Sequence, residues 1–409
     1  MVDERVRDPA EIGVRVRTIR RRRGLSLDTA ASLAGISKPY LSMLERGARR
    51  FERRGLLEDL ASALGCSVVD LTGQPYLPGD RESAEALATL PAISVALFDT
   101  TLDDVPDTPA RPLRDLVRSA RVANEYSADS RYSVAGRGLG GLLTELHVHA
   151  VTGDSAARRL ALAALVEACL VAVGSARSLG NPDLAVIAAK RAQDCARRLG
   201  DPALDGFAAM TTSTALGRLG ARHRAERVVE TALAAVERPD PDADDTLPAE
   251  AAGMLHLSAA QIAAKNGDGP RAADHLAEAA GLAERTGEQN GLQFTFGPAN
   301  VSAWSLSLAV ELGHGPERAE QITRSAGYDS ILTKADRKSA LHFDLARAYS
   351  QADGSRDGEA VRHLDIADRV APQRIRNDPL ARELVAVLDK RTRRRSWELE
   401  SLKHRLAMG

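Results

Sequence analysis

Apolar residues recur along the chain at helical spacing, interrupted by short polar turns. Within residues 11–73 the pattern predicts five short helices, because apolar positions every three or four residues are bounded by Ser and Gly. Ser26 and Ser37 stand where N-caps are expected, and Gly35 stands where a helix ends. Pro39 falls in the first turn of the third helix, where a missing N–H costs little. These five helices predict a compact N-terminal domain.

Beyond residue 112, longer amphipathic helices alternate with Gly, Asp and Pro turns. One pattern recurs: a helix with small residues at its centre, a short turn, and a second helix with an early alanine. These alanines are Ala185, Ala225, Ala272, Ala319 and Ala360. Their separations of 40, 47, 47 and 41 residues indicate a degenerate helical repeat, in which stacked helix pairs share one core and form a groove. The alternative is a set of unrelated antiparallel helices.

Two proline-containing stretches, at 74–82 and 103–112, suggest the domain boundaries. We therefore predict an N-terminal domain at 1–74, a linker with a connecting helix at 75–111, and a repeat domain with C-terminal capping helices at 112–409. Only 3% of residues are aromatic and alanine is abundant, which favours helices over strands. The predicted fold class is all-α.

Charge is unevenly distributed between the two predicted domains. Residues 1–75 carry 14 Lys and Arg against 10 Asp and Glu, while the remainder carries 41 against 46. A basic head on an acidic body indicates that the head alone contacts nucleic acid. The basic run at 390–395 is expected to be the solvated part of a capping helix, although DNA contact is an alternative.

Other signals argue against export, membrane insertion and catalysis. The three cysteines are far apart and are expected to be buried thiols in a reducing compartment. No apolar run is expected to span a membrane, and the N-terminus has no apolar signal segment. We therefore predict a cytoplasmic protein. We find no catalytic motif and no metal-ligand spacing. The GRGLGG run at 136–141 is expected to permit close helix packing. We predict no enzyme, no cofactor and no metal.

Residues 11–73 resemble the xenobiotic-response-element helix-turn-helix domains, a group that includes the phage repressors. The matching segments are RTIRRRRGLSLDTAASLAGISKPYLSMLERG and LLEDLASALGCSVVDL. The tight core of the motif corresponds here to Ala31, Gly35, Ile36, Leu41 and Leu44. One departure is Leu27, where the family often carries a Gln that contacts the DNA backbone. The resemblance implies binding of double-stranded operator DNA.

By this resemblance, the third helix enters the major groove. Lys38 can donate to guanine, Ser42 to many base edges, and Pro39 and Met43 can contact a thymine methyl group. Phosphate contacts are expected from the remaining polar residues of the helix and the arginine-rich loop after it. The predicted DNA-binding residues are Ser37, Lys38, Pro39, Tyr40, Ser42, Met43, Arg46, Arg49 and Arg50, with further charge from Arg53 and Arg54. In this family the residues matching Arg20 and Glu45 form a structural pair.

The remainder resembles tetratricopeptide repeats, which implies a right-handed superhelix. The matching features are the Gly267-Asp268 turn, Ala272, Leu276, Ala279 and Pro372. The combination looks like actinobacterial regulators that join a helix-turn-helix to such repeats, and is more distantly similar to peptide-sensing regulators of Gram-positive bacteria. In these arrays the first helix of each pair lines the concave groove. The residues predicted to bind a ligand there, or in the aromatic loop FTFGPANVSAW, are Arg177, Phe207, Arg218, Lys265, Phe294, Phe296, Asn300, Trp304, Phe343 and Arg347.

A cationic groove with aromatic side chains suits a peptide or a small anionic effector. We therefore predict a homodimeric, ligand-responsive transcriptional regulator, because a two-fold operator requires two heads. The alternative is a repeat-based protein–protein interaction scaffold with a weak or vestigial DNA-binding head. The intact caps and the basic head favour the regulator.

Overall fold

A computed structural model describes residues 12–236, 243–325, 327–328, 332–391 and 396–408. Within these ranges the ordered elements are helices and no strand is present, which confirms the all-α prediction. Residues 392–395 of the basic run at 390–395 lie outside the described residues, as does the charged N-terminus up to residue 11.

The N-terminal domain, called the head from here on, has the five predicted helices. They are α1 (Ile12–Arg22), α2 (Leu27–Leu33), α3 (Lys38–Glu45), α4 (Arg54–Leu64) and α5 (Val68–Thr72). The hydroxyl of Ser26 accepts from the Thr29 amide at 3.0 Å, and that of Ser37 accepts from the Tyr40 amide at 3.3 Å. The predicted caps therefore hold α2 and α3, and α1 packs so closely on α3 that only glycine fits at position 13.

Two helices follow where a linker with one connecting helix was expected: α6 (Arg81–Leu87) and α7 (Leu90–Asp99). Their apolar residues, including Leu90 and Ile93, belong to the same core as the first helices of the repeat domain. A Cβ atom at Gly140 would lie 2.5 Å from the carbonyl oxygen of Ala92, so the glycine-rich run does permit close packing, here against α7. The segment 75–111 is thus largely part of the repeat domain rather than a free connection.

The repeat domain consists of stacked antiparallel helices. They are α8 (Leu113–Ala128), α9 (Tyr132–Ala135), α10 (Leu139–Thr152), α11 (Ser155–Ser178), α12 (Pro182–Leu199), α13 (Pro202–Arg218), α14 (Arg222–Ala235), α15 (Leu247–Lys265), α16 (Gly269–Thr286), the 3-10 helix η1 (Gly291–Gln293), α17 (Pro298–Leu312), α18 (Gly315–Thr323), α19 (Ala335–Ser350), α20 (Asp357–Val370), α21 (Pro372–Arg376), α22 (Pro379–Arg391) and α23 (Trp397–Arg405).

The five repeated alanines occupy equivalent sites in this array. Each lies near the start of the second helix of a pair, in α12, α14, α16, α18 and α20, and none is more than 2% exposed. A small side chain is needed there because the two helices of a pair approach closely. The recurrence in register confirms helical repeats and excludes a set of unrelated helices.

Helix α11 corrects one expectation about apolar runs. It is long and apolar enough to cross a membrane by length and composition, although no such run was expected. Most of the helix is buried against its neighbours, which is typical of the core helix of a soluble domain. Among the cysteines, Cys169 and Cys195 are buried as predicted, whereas Cys66 is partly exposed.

The head does not stand apart from the repeats. One apolar cluster runs from Val16 and Leu60 of the head to Leu345 and Leu384 of the last repeat helices. The curvature of the array brings α17–α22 back towards α4. The head therefore closes one side of the superhelix, and the two sequence domains share a core.

Candidate nucleic-acid interface and ligand cavity

The turn between α2 and α3 presents the start of α3 to solvent. Gly35 adopts φ 66°, which an L side chain tolerates poorly, and Ser37 caps the helix immediately afterwards. Leu41 and Leu44 face inward and are completely buried. The opposite face of α3 is consequently open along its first two turns.

The structure places most of the predicted DNA-binding residues on this open face. Ser37, Lys38, Pro39, Arg46 and Arg49 are exposed, and Tyr40, Ser42 and Met43 are partly exposed. The guanidinium of Arg46 donates to the Ser42 carbonyl oxygen at 3.1 Å, which holds it along the helix edge. A lysine, a hydroxyl and two arginines therefore share one accessible surface, called the recognition face below.

Arg50 and Arg54 lie elsewhere, although Arg50 was predicted to contact DNA and Arg54 to add charge near it. Arg50 borders a small cavity against α19 and α22, and burial together with the nearby Arg391 lowers its pKa. Arg54 forms an ion pair with Asp378 of the repeat domain at 3.2 Å. Arg49 and Arg53 are exposed, whereas their neighbours Arg50 and Arg54 face the repeats.

Arg20 and Glu45 join α1 to the end of α3. Arg20 Nε and Nη2 donate to the two carboxylate oxygens of Glu45 at 2.6 and 2.8 Å, in a buried bidentate arrangement. The hydrogen bond to Glu45 raises the pKa of Arg20. Because each guanidinium N–H has a fixed direction, the pair sets the orientation of α3 relative to α1.

A buried carboxylate of the repeat domain caps the N-terminus of α4. Arg53 provides no side-chain cap, and the amides of Arg54 and Gly55 instead donate to the two oxygens of Glu311 at 3.1 and 3.2 Å. Arg347 also donates to Glu311, at 2.7 Å. A Cβ atom on Gly55 would lie 2.8 Å from the Lys265 carbonyl oxygen, so only glycine permits this approach.

Further ion pairs hold the outer side of α4 to the repeats. Lys265 pairs with Glu58, and Arg222 pairs with Asp59 and donates to the Gly55 carbonyl oxygen. Sequence reasoning missed this interface. The only available signal was an acidic pair, Glu58 and Asp59, in an otherwise basic head.

Helix α4 also forms one wall of a cavity inside the superhelix. The cavity has a volume of about 260 Å³, and Leu57 and Glu58 of α4 and Val68 of α5 line it together with residues from α8, α11, α13, α15, α17 and α19. A molecule bound inside would therefore touch the head and the repeats at the same time.

Six of the ten predicted ligand-binding residues line this cavity: Arg177, Arg218, Lys265, Phe294, Asn300 and Trp304. The other four are corrections. Phe207 is buried beneath Phe294, with ring centroids 5.2 Å apart, and Phe296 is buried against Gly253. Phe343 and Arg347 are buried at the interface with the head, where Arg347 binds Glu311. Aligning the repeats on one alanine each could not predict that these four side chains face away from the cavity, because the helices differ in length.

The aromatic loop between α16 and α17 enters the cavity in a strained conformation. Leu292, Gln293 and Thr295 adopt φ values of 48°, 65° and 54°, which are uncommon for residues with side chains. The Leu292 carbonyl oxygen accepts from Asn124 at 3.1 Å, and the Gly291 amide donates to Glu250 at 2.6 Å. Such strain persists where surrounding contacts impose it, often at binding sites.

Two arginines of the cavity were also missed. Arg337 begins α19 and Arg374 lies in the short helix α21, and both line the cavity. They pair with the same carboxylate, that of Asp336, with Arg337 at 2.9 Å. Neither occupies the repeat position used to predict the groove, so the sequence pattern gave no indication of them.

The head thus has the geometry of a helix-turn-helix domain. Residues 11–72 match the family model described as a helix-turn-helix domain. The crystal structure of Bacillus thuringiensis PlcR in complex with the peptide PapR7 and DNA is similar with a TM-score of 0.36 and 9% sequence identity, over 94% of this chain and 100% of that chain. No curated protein matches the sequence significantly.

Proposed function

We propose that this protein is a transcriptional regulator that binds operator DNA as a homodimer through the recognition face and senses a ligand in its cavity. The observation that carries the proposal is that two sides of the head have different surroundings. The recognition face is open, while the opposite side, α4, is held by the repeats and lines the cavity. DNA and ligand can therefore contact one rigid domain from opposite sides.

The route from ligand to DNA follows from these contacts. A ligand that binds the docked arrangement more tightly than an undocked one shifts the population of head positions. Coupling of about 1–3 kcal/mol would change DNA affinity about 5- to 150-fold. In a dimer the head position also sets the spacing of the two recognition helices, which must match the half-site spacing. The protein is expected to act in the cytoplasm, where operator DNA is accessible.

The neighbouring residues Arg49 and Arg50 provide a matched test of DNA binding. Arg49→Ala removes an exposed charge beside α3, so affinity for a duplex enriched from a random pool should fall and the salt dependence should flatten. Arg50→Ala removes a charge that faces the repeats and should leave both quantities unchanged. Fluorescence anisotropy against salt concentration measures them.

Lys38→Ala completes this experiment. It should weaken binding to the enriched duplex by about 1–3 kcal/mol and affect a scrambled duplex less, because Lys38 is positioned to contact a base edge. Equal losses on both duplexes, or equal losses for Arg49→Ala and Arg50→Ala, would contradict the recognition face as defined here.

A further inference from the structure

The interior of the superhelix gathers arginines whose charge the protein does not neutralise. Arg177 ends α11, Arg218 ends α13, and Arg337 and Arg374 come from α19 and α21, yet all four line the same cavity. Within the described residues, Arg177 and Arg218 have no carboxylate at ion-pair distance, and Arg337 and Arg374 share the single carboxylate of Asp336. These four residues are called the arginine cluster below.

The other charges of the cavity are matched. Arg54 pairs with Asp378, Lys265 with Glu58 and Arg222 with Asp59. Asp344 and the buried Glu311 both bind Arg347. The positive excess therefore resides in the arginine cluster.

The pKa shifts agree with this geometry. Burial, together with the nearby Arg54 and Arg177 and against the opposing effect of Asp378, lowers the pKa of Arg218 to about 10. Burial likewise lowers the pKa of Arg337 and of Arg374 to about 10. The charged guanidinium groups are thus destabilised where they stand, because each is only partly exposed to water and its charge is not fully compensated.

Other residues that line the cavity have a different chemistry. Phe294, Trp304, Met210 and Met254 supply aromatic and thioether surface, and Asn300 lies among them. A molecule that fills the cavity would therefore meet both cations and polarizable apolar groups. Guanidinium groups bind phosphate and carboxylate in a bidentate manner, so either group suits the arginine cluster.

We propose that the cavity binds a small amphipathic molecule with at least two negative charges, whose phosphate or carboxylate groups lie among the arginine cluster and whose aromatic or apolar part lies against Phe294 and Trp304. The proposal rests on the sensing function and names its ligand class. Two charges are required because two arginines have no carboxylate of their own. A compact molecule suits the cavity volume of about 260 Å³, one wall of which is α4.

The test uses aromatic probes of graded charge on the full-length protein. Phenyl phosphate and phthalate carry two charges at about pH 8, benzoate carries one and benzyl alcohol none. The chain has two tryptophans, and Trp397 is 71% exposed, so Trp397→Phe leaves Trp304 as the only tryptophan reporter. Saturable quenching of Trp304 is expected for the dianions, weaker quenching for benzoate and none for benzyl alcohol. A comparison of the affinities for phenyl phosphate and phthalate distinguishes a phosphate ligand from a carboxylate ligand.

Variants assign the binding to the arginine cluster. Arg218→Gln and Arg177→Gln should each weaken dianion binding about 10- to 100-fold, the range for a lost charge-assisted hydrogen bond. Arg362→Gln, at an exposed site on α20, is the matched control and should bind normally. Both cavity variants should melt no earlier than the parent without ligand, because each removes an uncompensated charge.

Three outcomes would overturn the proposal: benzyl alcohol binding as tightly as the dianions, no saturable quenching by any probe at about 10 mM, or unchanged affinity in Arg218→Gln. DNA binding of the ligand-free protein is measured separately. Its absence would overturn the proposed regulator, whereas failure of probe binding with normal DNA binding overturns only this ligand assignment.

Discussion

The contact between Glu311 and the start of α4 permits a quantitative test of how the head is held. Glu311 is 1% exposed and accepts from two backbone amides of the head and from Arg347. Glu311→Gln preserves shape and one acceptor oxygen but removes the charge. Arg347 then retains Asp344, at 2.8 Å, as its only carboxylate partner among the described residues.

The expected cost follows from these losses. Breaking a buried ion pair from one side costs about 3–5 kcal/mol, and the remaining Asp344 places this case at the lower end. The weaker acceptor at the N-terminus of α4 adds up to about 1 kcal/mol through the helix dipole. We therefore expect docking of the head to weaken by about 3–4 kcal/mol, which corresponds to an equilibrium population of the open form about 150- to 900-fold higher.

Hydrogen exchange measured by mass spectrometry detects this opening. Peptides covering α4 should exchange about 150- to 900-fold faster in Glu311→Gln, while peptides covering α12, far from the interface, should not change. Glu284→Gln, at an exposed site on α16, is the control and should change stability by less than about 0.5 kcal/mol. Unchanged exchange in α4 would refute the idea that this carboxylate holds the head.

The same contact has a defined pH dependence. Burial by itself would raise the pKa of Glu311, but Arg347, Lys265 and the backbone donors hold the pKa below its ordinary value of 4.5. A carboxylate with a lowered folded-state pKa stabilises the fold above its ordinary pKa and loses that contribution as the pH falls towards the lowered value. The difference in the free energy of head docking between the parent and Glu311→Gln should therefore be constant near neutral pH and shrink below pH 4.5.

Two further predictions concern packing and assembly. Gly253→Ala places a methyl group about 2.1 Å from the Phe296 ring, so it should lower the free energy of unfolding, measured in urea, by about 1–3 kcal/mol. Gly281→Ala, where a Cβ atom meets nothing, is the control. Equal urea midpoints for the two variants would show that the aromatic loop yields easily. Light scattering of the full-length protein at about micromolar concentration should give the mass of a dimer, and a monomeric mass with and without DNA would contradict the two-headed regulator.

Local features of the sequence determined the helices of this protein. Serine hydroxyls cap adjacent amides, glycines adopt left-handed φ, and alanines at equivalent repeat positions permit close helix pairs, all within a few residues or one repeat. For the same reason the recognition face could be predicted, since it depends on one short helix and its cap. Arg20 and Glu45 were paired only through a family resemblance, and the structure shows them in contact.

Only the tertiary structure decided where the long-range contacts form. Whether Arg50 faces DNA or the repeats depends on the path of one loop over a surface built from residues about 300 positions later in the chain. Lys265 and Arg347 appear as ligand-binding cations in the repeat pattern, yet the returning superhelix places carboxylates beside both. Arg177 and Arg218 receive none from the part of the chain that the structure describes. Two charges form an ion pair only at distances below about 4 Å. Helix periodicity determines on which face of its helix a residue lies, but it does not determine which partner the curvature of the superhelix brings to that residue.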